Sequence, residues 1–385
     1  MKTNKKFGNV NFRYMEVFMS AVSGASSSNS QNSGMTSKKA IGILSIDGGG
    51  VRGLIPIEVI KAIEFYTGHS VTKLFDVFAG TSIGAIIAGG LNVRDPKNRE
   101  KPKYSDKEFG EVMKKKASTI FPHGVLADIK KVANLLIKGS LYSSDGINSV
   151  SGEIFGGFLM QDTIAEVLAT TTKLKLKTDG SGSKGWYTKI FSSSDCKKRE
   201  KYHELALGEV CKASAAAPIY MNIDSIPQEP GSYFMDGGVL KNNPAFAAYL
   251  ATVRSNPEDK INILSLGTGV HDTLTTTKEL NANIVPKALG VVSIFMNGAS
   301  ENEHRSLAIE QKLKSKMTHY TRFQVELPLE DASTDDSSDA NLKKLIQHGK
   351  QLVRDNAFEI QTFCDRLMKA KSLEKIGTQT LAGFQ

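Results

Sequence analysis

The strongest constraint on this chain is a unit that occurs twice in succession: a short apolar run, a glycine cluster, then apolar residues at helical spacing. Ala40-Ile41-Gly42-Ile43-Leu44-Ser45-Ile46 leads into Asp47-Gly48-Gly49-Gly50-Val51-Arg52-Gly53, after which Ile55, Val59, Ala62, Ile63 and Tyr66 recur with the period of one helix face. Leu74 to Ala79 leads in turn into Gly80-Thr81-Ser82-Ile83-Gly84, with a helix running from Ile83 toward Gly90. Short apolar runs of this kind suit strands buried on both faces. Strands that alternate with helices predict a layered α/β domain with a mainly parallel central sheet.

The later segments extend the pattern. Lys173 to Thr178 and Trp186 to Ser192 read as two strands flanking the turn Asp179-Gly180-Ser181-Gly182. Phe234-Met235 leads into Asp236-Gly237-Gly238, and Asn243-Pro244 caps a helix expected to carry Phe246, Tyr249, Leu250 and Val253 on one face. Ile261 to Leu266 is a further buried strand ending at Gly267-Thr268-Gly269. Beyond about residue 272 the pattern becomes helical, with an apolar stripe through Leu342, Leu345, Ile346, Leu352, Val353, Ile360, Phe363 and Leu367; Asp331 to Asp339 reads as a solvated loop before it. The polar, small-residue stretch Gly24 to Ser30 marks 1–38 as a flexible leader. The expected organisation is that leader, a core at 39–270, and a helical C-terminal extension at 271–385 packed on it.

Composition narrows the class further. With 385 residues, 40% of them hydrophobic and 23% charged, the chain is neither a fibre nor a small disulfide scaffold. Its formal net charge of +9 favours anionic partners such as acidic lipid or nucleic acid, as a weak field effect. Cys196, Cys211 and Cys364 stand far apart without a CxxC pair, which argues against zinc and disulfides and for a reducing compartment. No window reaches the ~18 apolar residues of a membrane span. Glu16 interrupts the one signal-like run, Met15 to Val22. The expected location is cytoplasmic, with export by a route lacking a signal peptide left open.

The loop Asp47 to Gly53 lies between a strand and a helix, where glycines let backbone N–H groups approach an anion and the helix N-terminus adds positive potential. It also satisfies G-x-G-x-x-G, but the acidic residue needed to hold a ribose should end the second strand. Asp76, 23 residues after Gly53, begins that run instead, and Asp47 would repel a pyrophosphate. The segment Gly80 to Gly84 is a G-x-S-x-G between strand and helix. A nucleophilic serine there must project from a turn too sharp for bulky neighbours, and Ser82 would sit where the helix dipole favours an oxyanion. Two bases are open to it. Asp236 has a fixed exit in a strand–turn–Gly-Gly setting but needs burial to become basic enough. His271, just after Gly267-Thr268-Gly269, is the one histidine of seven near a strand end.

Taken together, Asp47 to Gly53, Gly80 to Gly84 and Asp236 to Gly238 resemble, in chain order, the three signatures of the patatin-like phospholipases. Ala213 to Pro218, Asn242-Asn243-Pro244 and Leu264 to Gly269 are also similar to that family, so the resemblance spans about residues 39 to 270. It implies a three-layer α/β/α domain and a Ser-Asp dyad, with Ser82 as nucleophile and Asp236 as general base. The same resemblance implies an oxyanion hole from the N–H groups of Gly48, Gly49 and Gly50. Asp47, Arg52, Gly53, Gly80, Gly84, Gly237 and Gly238 would support the motifs, and no metal or cofactor is called for. The implied partners are a phospholipid or related glycerolipid substrate and a peripheral membrane surface, with no nucleic acid; oligomeric state is unreadable. Lys114 to Lys116, Lys130-Lys131 and Lys197 to Arg199 are the candidate membrane contacts.

Overall fold

β1 (Ala40–Ile46) alternates its side chains between two buried faces, Ile41 and Ile43 toward one and Leu44 and Ile46 toward the other. This is a computed structural model, and it describes residues 40–124, 134, 139–175, 185–271, 284–313 and 317–384, all within the compact unit Lys39–Gln385. The expected leader at 1–38, the turn at 179–182 and Lys130-Lys131 lie outside the described residues.

α1 (Leu54–Thr67) follows β1, and β2 (Val77–Thr81) is followed by α2 (Ile83–Leu91). The second strand begins at Val77 rather than Leu74, because Val71–Leu74 forms a helical turn capped by Ser70. Leu74 and Phe75 are buried as core residues without belonging to the strand. Next come α3 (Asp106–Ile120), α4 (Ser144–Phe155), β3 (Glu166–Lys175), β4 (Gly185–Ser192), α5 (Leu207–Ser214), β5 (Ser232–Asp236), α6 (Ala245–Ser255) and β6 (Lys260–Leu266). In α6, Ala245, Ala248 and Tyr249 face the core, whereas Leu250 is exposed, contrary to the expected apolar face. Then follow α7 (Ile284–Lys312), β7 (Met317–Phe323), α8 (Asp339–Asp355) and α9 (Ala357–Ala370).

The sheet runs β4-β3-β2-β1-β6-β7, with β5 also on β3. β3, β2, β1, β6 and β7 are mutually parallel, and β4 and β5 run antiparallel to β3. One face is covered by α1, α2, α8 and α9 among others, and the opposite face by α6 and α7, which makes the fold a three-layer α/β/α sandwich. The C-terminal segment is thus more than helices: β7 extends the sheet beside β6. Sequence periodicity did not mark β7, because Thr318, His319, Thr321 and Arg322 interrupt its apolar residues.

The register of β3 positions the site. β2 pairs with the first half of β3, ending at Thr81 opposite Thr170, while β5 pairs with the second half, ending at Asp236 opposite Thr171. β4 occupies the other flank. β2 and β5 therefore lie end to end along one flank of β3 and point their C-terminal ends at each other. Ser82, which follows Thr81, meets Asp236 where those ends converge.

Candidate active site

Ser82 adopts φ 55° and ψ −123°, a backbone state that costs a non-glycine residue on the order of 1–3 kcal/mol. Its surroundings enforce it. Added Cβ atoms at Gly80 and Gly84 would collide with the backbone carbonyls of Gly84 and Ile46, so neither flank of the turn admits a side chain. The Ser82 N–H donates to Ser214 Oγ (2.8 Å), and Ser214 Oγ donates to the Thr170 carbonyl (2.7 Å). Thr81 Oγ1 adds a bond to the Lys241 carbonyl at 2.8 Å.

Asp236 is 1% exposed. Its N–H donates to the Ala216 carbonyl, and the next N–H, of Gly237, donates to the Ser214 carbonyl. The stretch 214–216 thus ties the serine turn to the aspartate strand. Asp236 Oδ1 accepts from the Gly238 N–H at 2.6 Å. Burial pushes the carboxyl up to about 6, against the opposing pull of the nearby Ser82 hydroxyl and the Gly238 N–H. Oδ2 has no partner at hydrogen-bond geometry, so the serine contact is looser than a full hydrogen bond, as is common before substrate tightens such a site. Gly237 lies against the Thr170 carbonyl, and Gly238 against Asn242 and Met296, closer than a Cβ would permit.

The glycine loop lies at the carboxyl end of β1, the edge at which open α/β sheets take ligands. Its three glycines are not equivalent. The Gly48 N–H donates to the Asn242 carbonyl at 3.2 Å, and its own carbonyl accepts from Thr268 Oγ1 at 2.6 Å. Gly48 is therefore a brace, which corrects the expectation of three oxyanion donors. The N–H groups of Gly49 and Gly50 have no partner among the described residues, and both glycines line the cavity that holds Ser82 and Asp236. Gly50 has φ 59° and abuts the Thr334 carbonyl, which accepts the Val51 N–H at 2.9 Å. The acidic stretch 331–339 is thus a clamp on this loop rather than a solvated linker; Asp331 and Ser337 are buried.

Asp47 and Arg52 anchor the loop from behind. Asp47 is buried in a two-bond pair with Arg322, at 2.7 Å and 3.2 Å, and accepts from Ser300 Oγ at 3.0 Å. No local sequence signal marks Arg322, 275 positions away on β7. Arg52 is buried and has no carboxylate partner among the described residues; its Nε–H donates to the Gly49 carbonyl at 3.4 Å, and burial lowers it to about 10. Gly53 packs against Ile83. Asp76 sits at the start of β2, bonded to Gly42 and Lys371, where it could not hold a ribose beside the loop.

The cavity is walled by apolar side chains including Ile86, Ile120, Phe121, Met221, Val292 and Met296. Among the described residues no histidine lines it, His271 included. Among the described residues, too, no group of three or more His, Cys, Asp or Glu side chains is arranged to hold a metal ion. The three cysteines are buried and unpaired.

The sequence profile of the patatin-like phospholipases matches residues 44–249, more than half of the chain. The chain belongs to the patatin-like phospholipase family. At that level it is a lipid hydrolase. Patatin-like protein 1 of Arabidopsis thaliana is 25% identical over 360 residues, 83% of this chain and 82% of its own. A cGAMP-activated phospholipase of Vibrio cholerae is 25% identical over 359 residues, covering 85% and 94%. Calcium-independent phospholipase A2-gamma of Oryctolagus cuniculus is 25% identical over 350 residues, covering 88% of this chain and 41% of the rabbit protein. The patatin-like fold thus brings together Ser82, Asp236, Gly49 and Gly50, while Gly48, Asp47, Arg52, Gly53, Gly80, Gly84, Gly237 and Gly238 hold them in position.

Proposed function

We propose that the chain releases fatty acid from phospholipids or related glycerolipids, as a phospholipase A-type acyl hydrolase using Ser82 and Asp236. The observation that carries this reading is a buried aspartate, raised to about 6, sharing an apolar cavity with a serine held at positive φ. At pH 7 such a carboxyl is mostly ionised yet more basic than an exposed one, as a general base should be.

Ser82 Oγ attacks the ester carbonyl as its proton passes to Asp236, and the N–H groups of Gly49 and Gly50 receive the oxyanion. Collapse breaks the bond to the alcohol, which leaves with the proton from Asp236. Water then attacks the acyl-enzyme, giving its proton to Asp236; the second collapse returns that proton to Ser82 and frees the fatty acid. The apolar walls exclude bulk water and suit an acyl chain. A histidine base is disfavoured, since none of the described histidines lines the cavity.

The partners of this reading are a glycerolipid and the membrane that supplies it, approached from one side; among the described residues no helix is long and apolar enough to cross a bilayer. The test is fatty-acid release from mixed phospholipid vesicles by wild type, Ser82→Ala, Asp236→Asn and His271→Ala. Activity lost in the first two variants and kept in the third supports the dyad. Loss in His271→Ala matching that in Ser82→Ala refutes it. Because the Vibrio relative is cGAMP-activated, each assay is run with and without that dinucleotide.

A further inference from the structure

Past Asp236, β3, β4 and β5 continue beyond the end of β2, forming a three-stranded ledge at the edge of the sheet that bears the cavity. Leu174 pairs with both Trp186 and Tyr233, so these three side chains share one face of the ledge. That row stands three residues, about 10 Å, beyond the pair formed by Thr171 and Asp236. By strand alternation it lies on the same sheet face as Leu168, the face covered by α6 and α7. Trp186 is 66% exposed, and Tyr233 is exposed as well.

α7 supplies a second apolar surface. Val292 and Met296, four apart, line the cavity. Val291, Ile294 and Phe295 point elsewhere and are exposed, Phe295 at 62%. This stretch is therefore apolar on two faces, one turned to the catalytic cavity and one to solvent, an arrangement that implies cover. Ser300, one turn further on, bonds to Asp47 and Asn242 and fixes the helix beside the glycine loop.

We infer that Trp186 and Tyr233 on the ledge, with Val291, Ile294 and Phe295 on α7, form the face by which the protein docks on an anionic bilayer. This rests on the proposed hydrolase reading. Three observations favour a bilayer over a second copy of the chain. The exposed residues of α7 lie on the same helical turns as Val292 and Met296 of the cavity wall, and an acyl chain that must cross water instead loses about fourfold in transfer for each exposed methylene. Trp and Tyr at a rim are the side chains suited to a headgroup interface. The exposed Lys175 ends β3 at this tip, and the chain carries +9 net charge, complementary to anionic lipid. The basic cluster Lys197 to Arg199 lies elsewhere, after the end of β4 where Ser192 pairs with Leu168.

Trp186 is the sole tryptophan and therefore a built-in reporter. In a Ser82→Ala background, which leaves vesicles intact, Trp186 emission should shift to the blue on phosphatidylglycerol–phosphatidylcholine vesicles and be quenched by lipids brominated near the headgroup. Phe295→Ser and Ile294→Ser should each weaken vesicle partitioning about tenfold or more. With Ser82 intact, the same two substitutions should leave hydrolysis of a short-chain monomeric ester unchanged. Sedimentation with vesicles without a Trp186 shift would mean docking by another face and overturn the assignment. A dimer detected by light scattering and dissolved by Phe295→Ser would assign the patch to a second copy and overturn it equally. Docking without hydrolysis of any ester would sink the hydrolase reading and leave the surface standing, so the two failures are distinct.

Discussion

Asp236 should cost the folded protein stability, and Asp236→Asn should recover it. The carboxyl is raised from 3.8 to about 6 and is 1% exposed, so solvent screening offers no discount. Below pH 3.8 both folded and unfolded chains carry it protonated. Between 3.8 and about 6 the unfolded chain ionises first, and above about 6 both are ionised with the folded state carrying the full burial cost. A rise of that size in the folded state corresponds to about 3 kcal/mol. Asparagine keeps the acceptor for the Gly238 N–H and places its amide where Oδ2 already lacks a partner, so no existing hydrogen bond is lost. Urea unfolding of the inactive Asp236→Asn protein should therefore show a gain of roughly 3 kcal/mol at pH 8, about half of it remaining at pH 5. A variant no more stable than wild type at pH 8, or a gain independent of pH, would refute the argument from burial.

If the proposed dyad operates, the same carboxyl should set the acid limb of catalysis: kcat/KM on a monomeric ester should fall below about pH 6 as Asp236 takes up a proton, and an inflection near 4 would mean an exposed base. Ser214→Ala removes both the acceptor for the Ser82 N–H and a donor to Thr170, so denaturation should show a loss of about 1–3 kcal/mol together with a lower kcat. Arg322→Met leaves Asp47 buried without its cation and should cost about 3–5 kcal/mol in unfolding experiments; adding Asp47→Asn should restore part of it.

What was legible in the sequence was local. The glycine loop, the serine turn and the Asp236 turn each announce themselves within seven residues, because a sharp strand-to-helix turn needs small neighbours in a fixed order. The layered α/β class followed from strands alternating with helices, and the three-layer sandwich from the resemblance of the three motifs to the patatin-like phospholipases. What was not legible depends on distant pairing. Gly48 looks like Gly49 and Gly50 until the Asn242 carbonyl claims its N–H. Ser214 is one small residue in an alanine-rich stretch until the turn of β2 arrives beside it. Thr334 sits in a polar run with no periodicity, yet its carbonyl fixes the loop after β1. The meeting of Ser82 and Asp236 itself comes from two strands sharing one flank of β3, a register no single segment encodes.

The central claim is that ester hydrolysis passes through an acyl group on Ser82. Its most direct test is rapid acid quenching of the enzyme during turnover on phospholipid, followed by proteolysis and mass spectrometry of the peptide containing Ser82. The account predicts the mass of a fatty-acyl chain on that serine in wild type and none in Asp236→Asn. Steady fatty-acid release with the acyl group on another residue, or with no acyl-enzyme at any quench time, would contradict it.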